Sequence, residues 1–291
     1  MRDMKIIQKE ELIKKVSDPK VLPMVAKKVL DIVGKDQASI SEICETIQKD
    51  QTISANILKI ANSAFYGLRK EVTSIRQAIL MLGLHAIRNI ALSVSTKLQH
   101  KRFGIVEQLM WDHSVGAAIA ARRIAAGRGK ELEEIAFFGG LFHDFGKVVI
   151  NNECPDAFSG VMQRIYNDHE DPLTAERSVF DYAHTEIGAL VMEKWRFPAI
   201  FVSILENHHL ENRSFEAFPD AFIAQVIACI NLANNMCIRL GIGFRTADQN
   251  LLLHDLPSAH FLGISKEMVE RLISDVQTAY ETEKSAFSNT Q

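Results

Sequence analysis

Apolar residues recur at helical spacing along most of this 291-residue chain. One stretch places Ile53, Ile57, Ile60 and Ala61 at the i, i+4, i+7 and i+8 positions that form one face of an amphipathic helix. Proline, which breaks helices, is scarce inside such stretches. Runs rich in valine and isoleucine are few, and the best strand candidate, residues 148–150, is better explained as a helix end. The sequence therefore predicts a predominantly helical protein.

Capping residues mark several helix boundaries. Ser39 and Glu42 have the S-x-x-E spacing of a capping box, which predicts a helix start. Residues 74–82 form another predicted helix, closed by Gly83. Ser265 is expected to cap the last long helix.

Turn signals and the distribution of histidines predict two helical lobes and an extension. Residues 10–104 form the predicted N-terminal lobe, and residues 105–240 form a second lobe that holds all the candidate metal ligands. Residues 241–291 form a C-terminal helical extension. The turn-forming residues around 99–104 mark the junction between the lobes.

Charge and composition restrict the expected cellular location and the expected classes of partner. The net charge of −3 mixes both signs, so there is no basic field that would favour nucleic acid, and no nucleic-acid partner is predicted. The N-terminus lacks the apolar segment of a signal peptide, and the apolar runs fall short of a membrane span. The cysteines lack C-x-x-C spacing and are expected to be free thiols in a reducing compartment: Cys44, Cys154, Cys229 and Cys237. We therefore expect a cytoplasmic protein without a membrane partner.

Half of the ten histidines stand in one ordered series with an aspartate. The series is His113, the adjacent pair His143 and Asp144, His184, and the adjacent pair His208 and His209. Imidazole nitrogens and a carboxylate oxygen together suit iron, manganese, nickel or zinc, and a carboxylate can bridge two ions. Adjacent side chains on a helix diverge by about 100°, so a His-Asp pair can serve two ions. The series predicts a buried site for one or two divalent metal ions.

Each member of the series also has a simpler explanation. A single His-Asp pair often occurs by chance, and a lone helical histidine such as His184 is more often a core or surface residue than a ligand. The pair at 208–209 also fits a solvated helix end. The prediction therefore depends on the combination. The other histidines are interpreted as structural or surface residues: His85, His100, His169, His254 and His260.

Four segments around the series resemble the HD superfamily of metal-dependent phosphohydrolases. They are Trp111-Asp-His-Ser-Val115, Gly140-Leu-Phe-His-Asp-Phe-Gly-Lys147, Ala183-His-Thr-Glu-Ile-Gly-Ala189 and Glu206-Asn-His-His209. Within that superfamily the chain is most similar to the HDOD group, a regulatory branch found in bacteria. Three N-terminal stretches resemble motifs of that group: Leu22-Pro-Met-Val-Ala26, residues 50–67, which end in an Asn-Ser-x-x-Tyr-Gly turn, and residues 78–83.

This resemblance spans roughly residues 15–240 and has consequences for fold and function. It implies an all-α fold, with an N-terminal helical bundle packed on a lobe like that of the HD superfamily. It also implies a bacterial signalling or scaffolding module that acts through protein partners.

The ligand pattern is closer to that of the related HD-GYP cyclic dinucleotide phosphodiesterases. The resemblance implies that one ion is held by His113, His143 and Asp144, and that Asp144 bridges to a second ion held by His184, His208 and His209. The final aspartate of the first ion falls on Asn231, whose amide oxygen is neutral and a weaker donor. The Gly-Tyr-Pro motif is absent, which removes the specific support for a cyclic dinucleotide as substrate.

Three functions remain open from the sequence. The first is a non-catalytic regulatory module, favoured by Asn231 and by the missing Gly-Tyr-Pro motif. The second, favoured by the complete histidine set, is a phosphohydrolase for a nucleotide or cyclic dinucleotide, with metal-activated water as nucleophile. In that case Asp144 and Lys147 are the predicted catalytic residues, with Lys147 contacting a phosphate oxygen or acting as an acid. The third is a di-iron oxygenase.

Overall fold

The computed structural model describes most of the chain. It covers residues 7–16, 40–63, 66–68, 70–84, 86–87, 90–91, 100, 104–168, 170–195, 197–210 and 214–288. These residues form helices and turns, with no strand among them, so the all-α prediction is confirmed. Residues 148–150 lie inside a helix. The predicted features at 22–26, Ser39, His85 and His169 lie outside the described residues.

The chain divides into two compact units. The larger comprises residues 1–19 and 100–277, and the smaller comprises residues 20–99 and 278–291. The described helices of the smaller unit's first segment include α2 (Ile40–Gln48), α3 (Gln51–Ala61) and α4 (Ile75–Leu82). In the larger unit the chain forms α1 (Lys9–Val16), α5 (Ile105–Ala125), α6 (Lys130–Phe142), α7 (Phe145–Glu153), α8 (Pro155–Asp168), α9 (Pro172–Phe180), α10 (His184–Lys194), α11 (Ala199–Asn207), α12 (Ala221–Leu240) and α13 (Pro257–Phe261). The division falls inside the last helix, α14 (Lys266–Ser288).

Capping residues set the helix ends as the sequence predicts. The Ser74 side chain accepts a hydrogen bond from the Gln77 backbone at the start of α4, and Gly83 ends that helix with φ +89°. The Ser265 hydroxyl accepts from the Met268 backbone at the start of α14. Each side chain satisfies a backbone donor that the first turn of a helix leaves unpaired.

The core of the larger unit is built around α5, α6 and α12, which pack against one another. Gly140 allows α6 to approach α5 closely, because a Cβ there would lie 2.6 Å from the carbonyl oxygen of Ala117. Gly146, near the start of α7, likewise meets the start of α10, where a Cβ would collide with the carbonyl oxygen of His184. These two contacts bring the segments that carry the candidate ligands close together.

Helix α12 is the most apolar long helix of the described part of the chain. By length and composition it could cross a membrane. However, 67% of its most apolar 18-residue stretch is buried inside the protein. Asp220 caps its start through the Phe222 backbone, and Gly241 ends it in a left-handed conformation. Its apolar composition is therefore accounted for by its place in the core, where it also carries Asn231 and Asn234.

In the smaller unit the apolar face predicted for α3 is buried. Ile53, Ile57 and Ile60 are each at most 4% exposed. The turn after this helix is held by Asn62, whose amide donates to the Val72 carbonyl at 2.8 Å and whose oxygen accepts from the Val72 backbone at 2.7 Å. The Asn-Ser-x-x-Tyr-Gly motif thus closes a loop between α3 and α4.

We expect Asn62→Ala to lower the free energy of unfolding by about 1 kcal/mol, because the Val72 backbone loses both partners. Asn62→Asp keeps the acceptor but sets a carboxylate oxygen against the Val72 carbonyl oxygen, and two acceptors repel, so its effect should be at least as large. Urea denaturation of the two variants measures the difference. An unfolding midpoint of Asn62→Ala equal to that of the parent protein would show that the loop does not depend on this side chain.

Candidate metal centre

The predicted ligands come from four separate places in the larger unit. His113 lies in the middle of α5, His143 and Asp144 lie in the turn between α6 and α7, His184 begins α10, and His208 and His209 directly follow α11. All but His209 are at least nine-tenths buried. The structure brings these six residues together as two groups that could each hold a metal ion, and Asp144 belongs to both.

The first cluster consists of His113, His143 and Asp144. The two histidine Nε2 atoms are 3.3 Å apart. Asp144 Oδ2 lies 3.6 Å from His113 Nε2 and 3.4 Å from His143 Nε2. Three potential donor atoms therefore converge on one small space.

The second cluster consists of Asp144, His184, His208 and His209. Asp144 Oδ1 lies 3.1 Å from His184 Nε2 and 3.6 Å from His208 Nε2. His184 Nε2 is also 3.3 Å from the Nε2 atoms of both His208 and His209. The two oxygens of Asp144 thus face different clusters, which is the arrangement of a bridging carboxylate.

Backbone carbonyls orient two of the imidazole rings. His143 Nδ1 lies 2.6 Å from the Gly140 carbonyl, and His208 Nδ1 lies 3.0 Å from the Leu205 carbonyl. A carbonyl oxygen can only accept, so Nδ1 carries the proton and the Nε2 lone pair of the neutral ring faces the cluster. Metal-binding histidines are typically fixed in this way.

Burial keeps the histidines of the first cluster neutral. It lowers the pKa of His113 and of His143 to about 4 each, against the opposing effect of Asp144. Burial alone would raise the pKa of Asp144, but His143 and Lys147 outweigh it and hold that pKa well below its ordinary value. At neutral pH the first cluster therefore presents neutral imidazoles beside an ionised carboxylate, the protonation states that metal binding requires.

This donor set fits a divalent first-row ion. The centre combines nitrogen and oxygen donors, as such ions prefer. Neighbouring Nε2 atoms lie 3.3 Å apart, and because His143 and His208 carry their proton on Nδ1, their Nε2 lone pairs face the neighbouring ring. By hydrogen-bond geometry Asp144 Oδ1 has no partner among the described residues, although His184 Nε2 is 3.1 Å away. A cation would bind both the unpaired imidazole lone pairs and this carboxylate oxygen.

Glu176, which the sequence analysis missed, supports His184 from behind. Its two oxygens lie 2.9 and 2.7 Å from His184 Nδ1, and one also accepts from the His184 backbone at 2.7 Å. Burial lowers the pKa of His184, but the Glu176 and Asp144 carboxylates together raise it above its ordinary value. A carboxylate on the outer nitrogen makes the ring a stronger donor to a metal. The available signal was an acidic residue eight positions before the histidine.

Two of the three asparagines on α12 contact different parts of the centre. Asn231 donates to the His208 carbonyl at 2.8 Å. Asn234, one turn later and not predicted, places Oδ1 2.9 Å from His113 Nε2. Asn231 as a metal ligand stays a prediction, while Asn234 is the amide that contacts the first cluster. Its signal was its position three residues from Asn231, on the same helix face.

Lys147 lies against the bridging carboxylate. Its Nζ is 2.8 Å from Asp144 Oδ2, and its side chain is 10% exposed. It also lines a cavity of about 400 Å³ that opens beside both clusters. The cavity wall combines polar and aromatic side chains, among them Asn231, Asn234, Asn235, Tyr166 and Phe244. A small polar molecule in this cavity would lie beside Asp144, His209 and Lys147.

Solved structures with the same fold come from several bacteria. An HDOD domain protein from Geobacter sulfurreducens has a TM-score of 0.73 at 22% identity, with 92% of each chain covered. A provisionally assigned phosphohydrolase from Shewanella amazonensis SB2B has a TM-score of 0.70 at 22% identity, covering 95% of this chain and 96% of that one. A provisionally assigned signal transduction protein from Marinobacter aquaeolei VT8 has a TM-score of 0.68 at 19% identity, covering 99% and 63%. At these identities the likeness establishes the fold.

Sequence comparison gives the family. An uncharacterised protein of Treponema pallidum (strain Nichols) is 23% identical over 192 residues, which are 65% of this chain and 37% of that protein. Bacillus subtilis YuxH is 37% identical over 60 residues, which are 21% of this chain and 15% of YuxH. The chain thus spans well under half the length of these relatives. The HDOD domain model matches residues 20–211, so the chain belongs to the HDOD domain family.

Proposed function

We propose that this chain is a signalling module that binds divalent metal without catalysing turnover. The observation that carries the proposal is that Asp144 is the only carboxylate in either cluster of the described residues. At the first cluster a further oxygen comes from the neutral amide of Asn234, 2.9 Å from His113 Nε2. A metal site remains, but it lacks the negative charge that a two-metal hydrolase uses.

A comparison of charges supports this proposal. Two divalent ions would bring four positive charges into a buried centre, and the Lys147 ammonium adds a fifth. Asp144 supplies one negative charge in contact, and Glu176 supplies another behind His184. Uncompensated charge in a buried site is costly, so full occupancy of two sites is disfavoured.

The signalling role is supported by the family and by one structural neighbour. The chain belongs to the HDOD domain family. The Marinobacter neighbour with the same fold is named for signal transduction. On this proposal the module acts in the bacterial cytoplasm through protein partners, and the cavity beside Lys147 offers a place for a nucleotide or another phosphate-bearing ligand.

A phosphohydrolase is the second candidate, and the complete set of five clustered histidines favours it. Bound metal would act as a Lewis acid on a phosphoryl oxygen. In this chain Lys147 would neutralise a phosphate oxygen, because its side chain lines the cavity. Its Nζ lies 2.8 Å from Asp144, so the phosphate would be held beside the metal centre.

A substrate panel separates the two candidates. We expect the purified chain, loaded in turn with manganese, iron, nickel or zinc, to bind metal but to release no phosphate from nucleotides and to open no cyclic dinucleotide. Chromatography of the reaction mixtures measures the products. Multiple turnovers that disappear in Asp144→Asn would favour the phosphohydrolase and contradict the proposal.

A further inference from the structure

The lysine next to the bridging carboxylate forms its closest contact with one of the two carboxylate oxygens. Lys147 Nζ is 2.8 Å from Asp144 Oδ2, the oxygen that faces His113 and His143. The other carboxylate oxygen, Oδ1, faces His184 and the second cluster. The ammonium therefore uses the oxygen that an ion at the first cluster would need.

The surroundings of His113 also disfavour an ion at the first cluster. Its Nδ1 lies 3.3 Å from the Ile242 carbonyl and its Nε2 lies 2.9 Å from Asn234 Oδ1. Both partners are acceptors, so a neutral ring can donate to only one of them. His113 thus lacks the fixed lone pair that His143 has, and the first cluster lacks a second acidic group that would hold a divalent ion tightly.

The second cluster differs in the groups around the carboxylate oxygen, in the fixing of its rings and in its second acidic group. Three imidazoles surround Asp144 Oδ1, and the outer nitrogens of His184 and His208 are held by Glu176 and by the Leu205 carbonyl. The lysine ion pair at Asp144 is recorded at Oδ2, where Lys147 Nζ lies 2.8 Å away, and no other lysine or arginine of the described residues pairs with this carboxylate. Glu176 adds a negative charge on this side.

We infer that the Lys147 ammonium takes the place of a metal ion at the first cluster, so that the chain holds a single divalent ion, at the second. The inference rests on the proposed function, because it assumes that metal binds at this centre. Lys147 supplies the positive charge that would otherwise require an ion, and Asn234 provides a neutral oxygen that suits this lower charge. The centre is then mononuclear, with Asp144 shared between the ion at Oδ1 and the Lys147 ammonium at Oδ2.

Metal stoichiometry tests this inference with Mn²⁺ as the probe. The full chain is stripped with a chelator, reloaded with Mn²⁺, desalted and analysed for manganese per chain. We expect one ion in the parent protein and two in Lys147→Met, where an uncharged side chain of similar length frees Asp144 Oδ2. Lys194→Met is the matched control, since Lys194 is exposed at the end of α10, and it should stay at one ion.

Electron paramagnetic resonance of the loaded parent protein gives an independent measurement that needs no variant. A single isolated Mn²⁺ gives a resolved six-line spectrum, whereas two ions sharing a carboxylate give a broadened, spin-coupled one. Two coupled ions in the parent protein would overturn the inference and leave metal binding intact. No bound ion would contradict the proposed function itself. A Lys147→Met variant that folds, by circular dichroism, and still binds one ion would show that the lysine does not exclude the second.

Discussion

His208→Ala is expected to lose its bound metal, whereas His254→Ala should keep it. The His208 ring is fully buried, and its Nε2 lies 3.3 Å from His184 Nε2 and 3.6 Å from Asp144 Oδ1. Changing a residue that only orients a metal ligand costs about 10–100-fold in metal affinity. Removing a ligand itself should cost at least as much, and elemental analysis of the two purified variants measures it.

His254→Ala is a suitable control because it replaces the same side chain elsewhere in the larger unit. His254 lies in the short 3₁₀ helix Leu253–Asp255, is partly exposed, and belongs to neither cluster. Thermal unfolding adds a second readout. An ion present at 100 times its Kd stabilises the folded state by about 2.7 kcal/mol, so added metal should raise the Tm of His254→Ala by more than that of His208→Ala. Equal metal content in both variants would show that the second cluster is assigned wrongly.

The helical fold could be predicted because its signals are local. The spacing of Ile53, Ile57 and Ile60 predicts the buried face of α3, and Ser74 predicts the start of α4. Both depend on residues within two turns of one another. The close approach of α7 to α10 at Gly146 involves residues nearly forty positions apart, and a glycine alone does not name its partner. The larger unit's packing therefore required the structure.

The candidate site was predictable in its histidines and less so in its supporting groups. Histidines are rare, so five in an ordered series stand out, but glutamates are common and Glu176 has no distinguishing neighbour in the sequence. Asn231 and Asn234 share a face of α12, and only the rotation and height of that helix decide which amide contacts His113. Lys147 lies three residues after Asp144, a spacing that permits contact on a helix but does not show which carboxylate oxygen the lysine approaches.

Glu176→Gln is expected to weaken metal binding without removing any atom that contacts the ion. Both Glu176 oxygens approach His184 Nδ1, and one also accepts from the His184 backbone. A glutamine keeps the shape but lacks the charge, so the ring becomes a poorer donor, and affinity should fall by about 10–100-fold. The loss of a charged, fully buried hydrogen bond should also lower the free energy of unfolding by about 1.5–3 kcal/mol.

Glu186→Gln gives the matched control for this prediction, because the same change is made one turn into α10. Glu186 is partly exposed, with ion pairs to Lys9 and Arg177, and such pairs contribute about 0–1 kcal/mol. Titration calorimetry with Mn²⁺ should therefore give the parent affinity for Glu186→Gln and a weaker one for Glu176→Gln. If Glu176→Gln binds the ion as tightly as the parent protein, then Glu176 only stabilises the fold and does not act on the metal through His184. If the Mn²⁺ affinity falls by more than the loss of stability accounts for, then Glu176 sets the donor strength of His184.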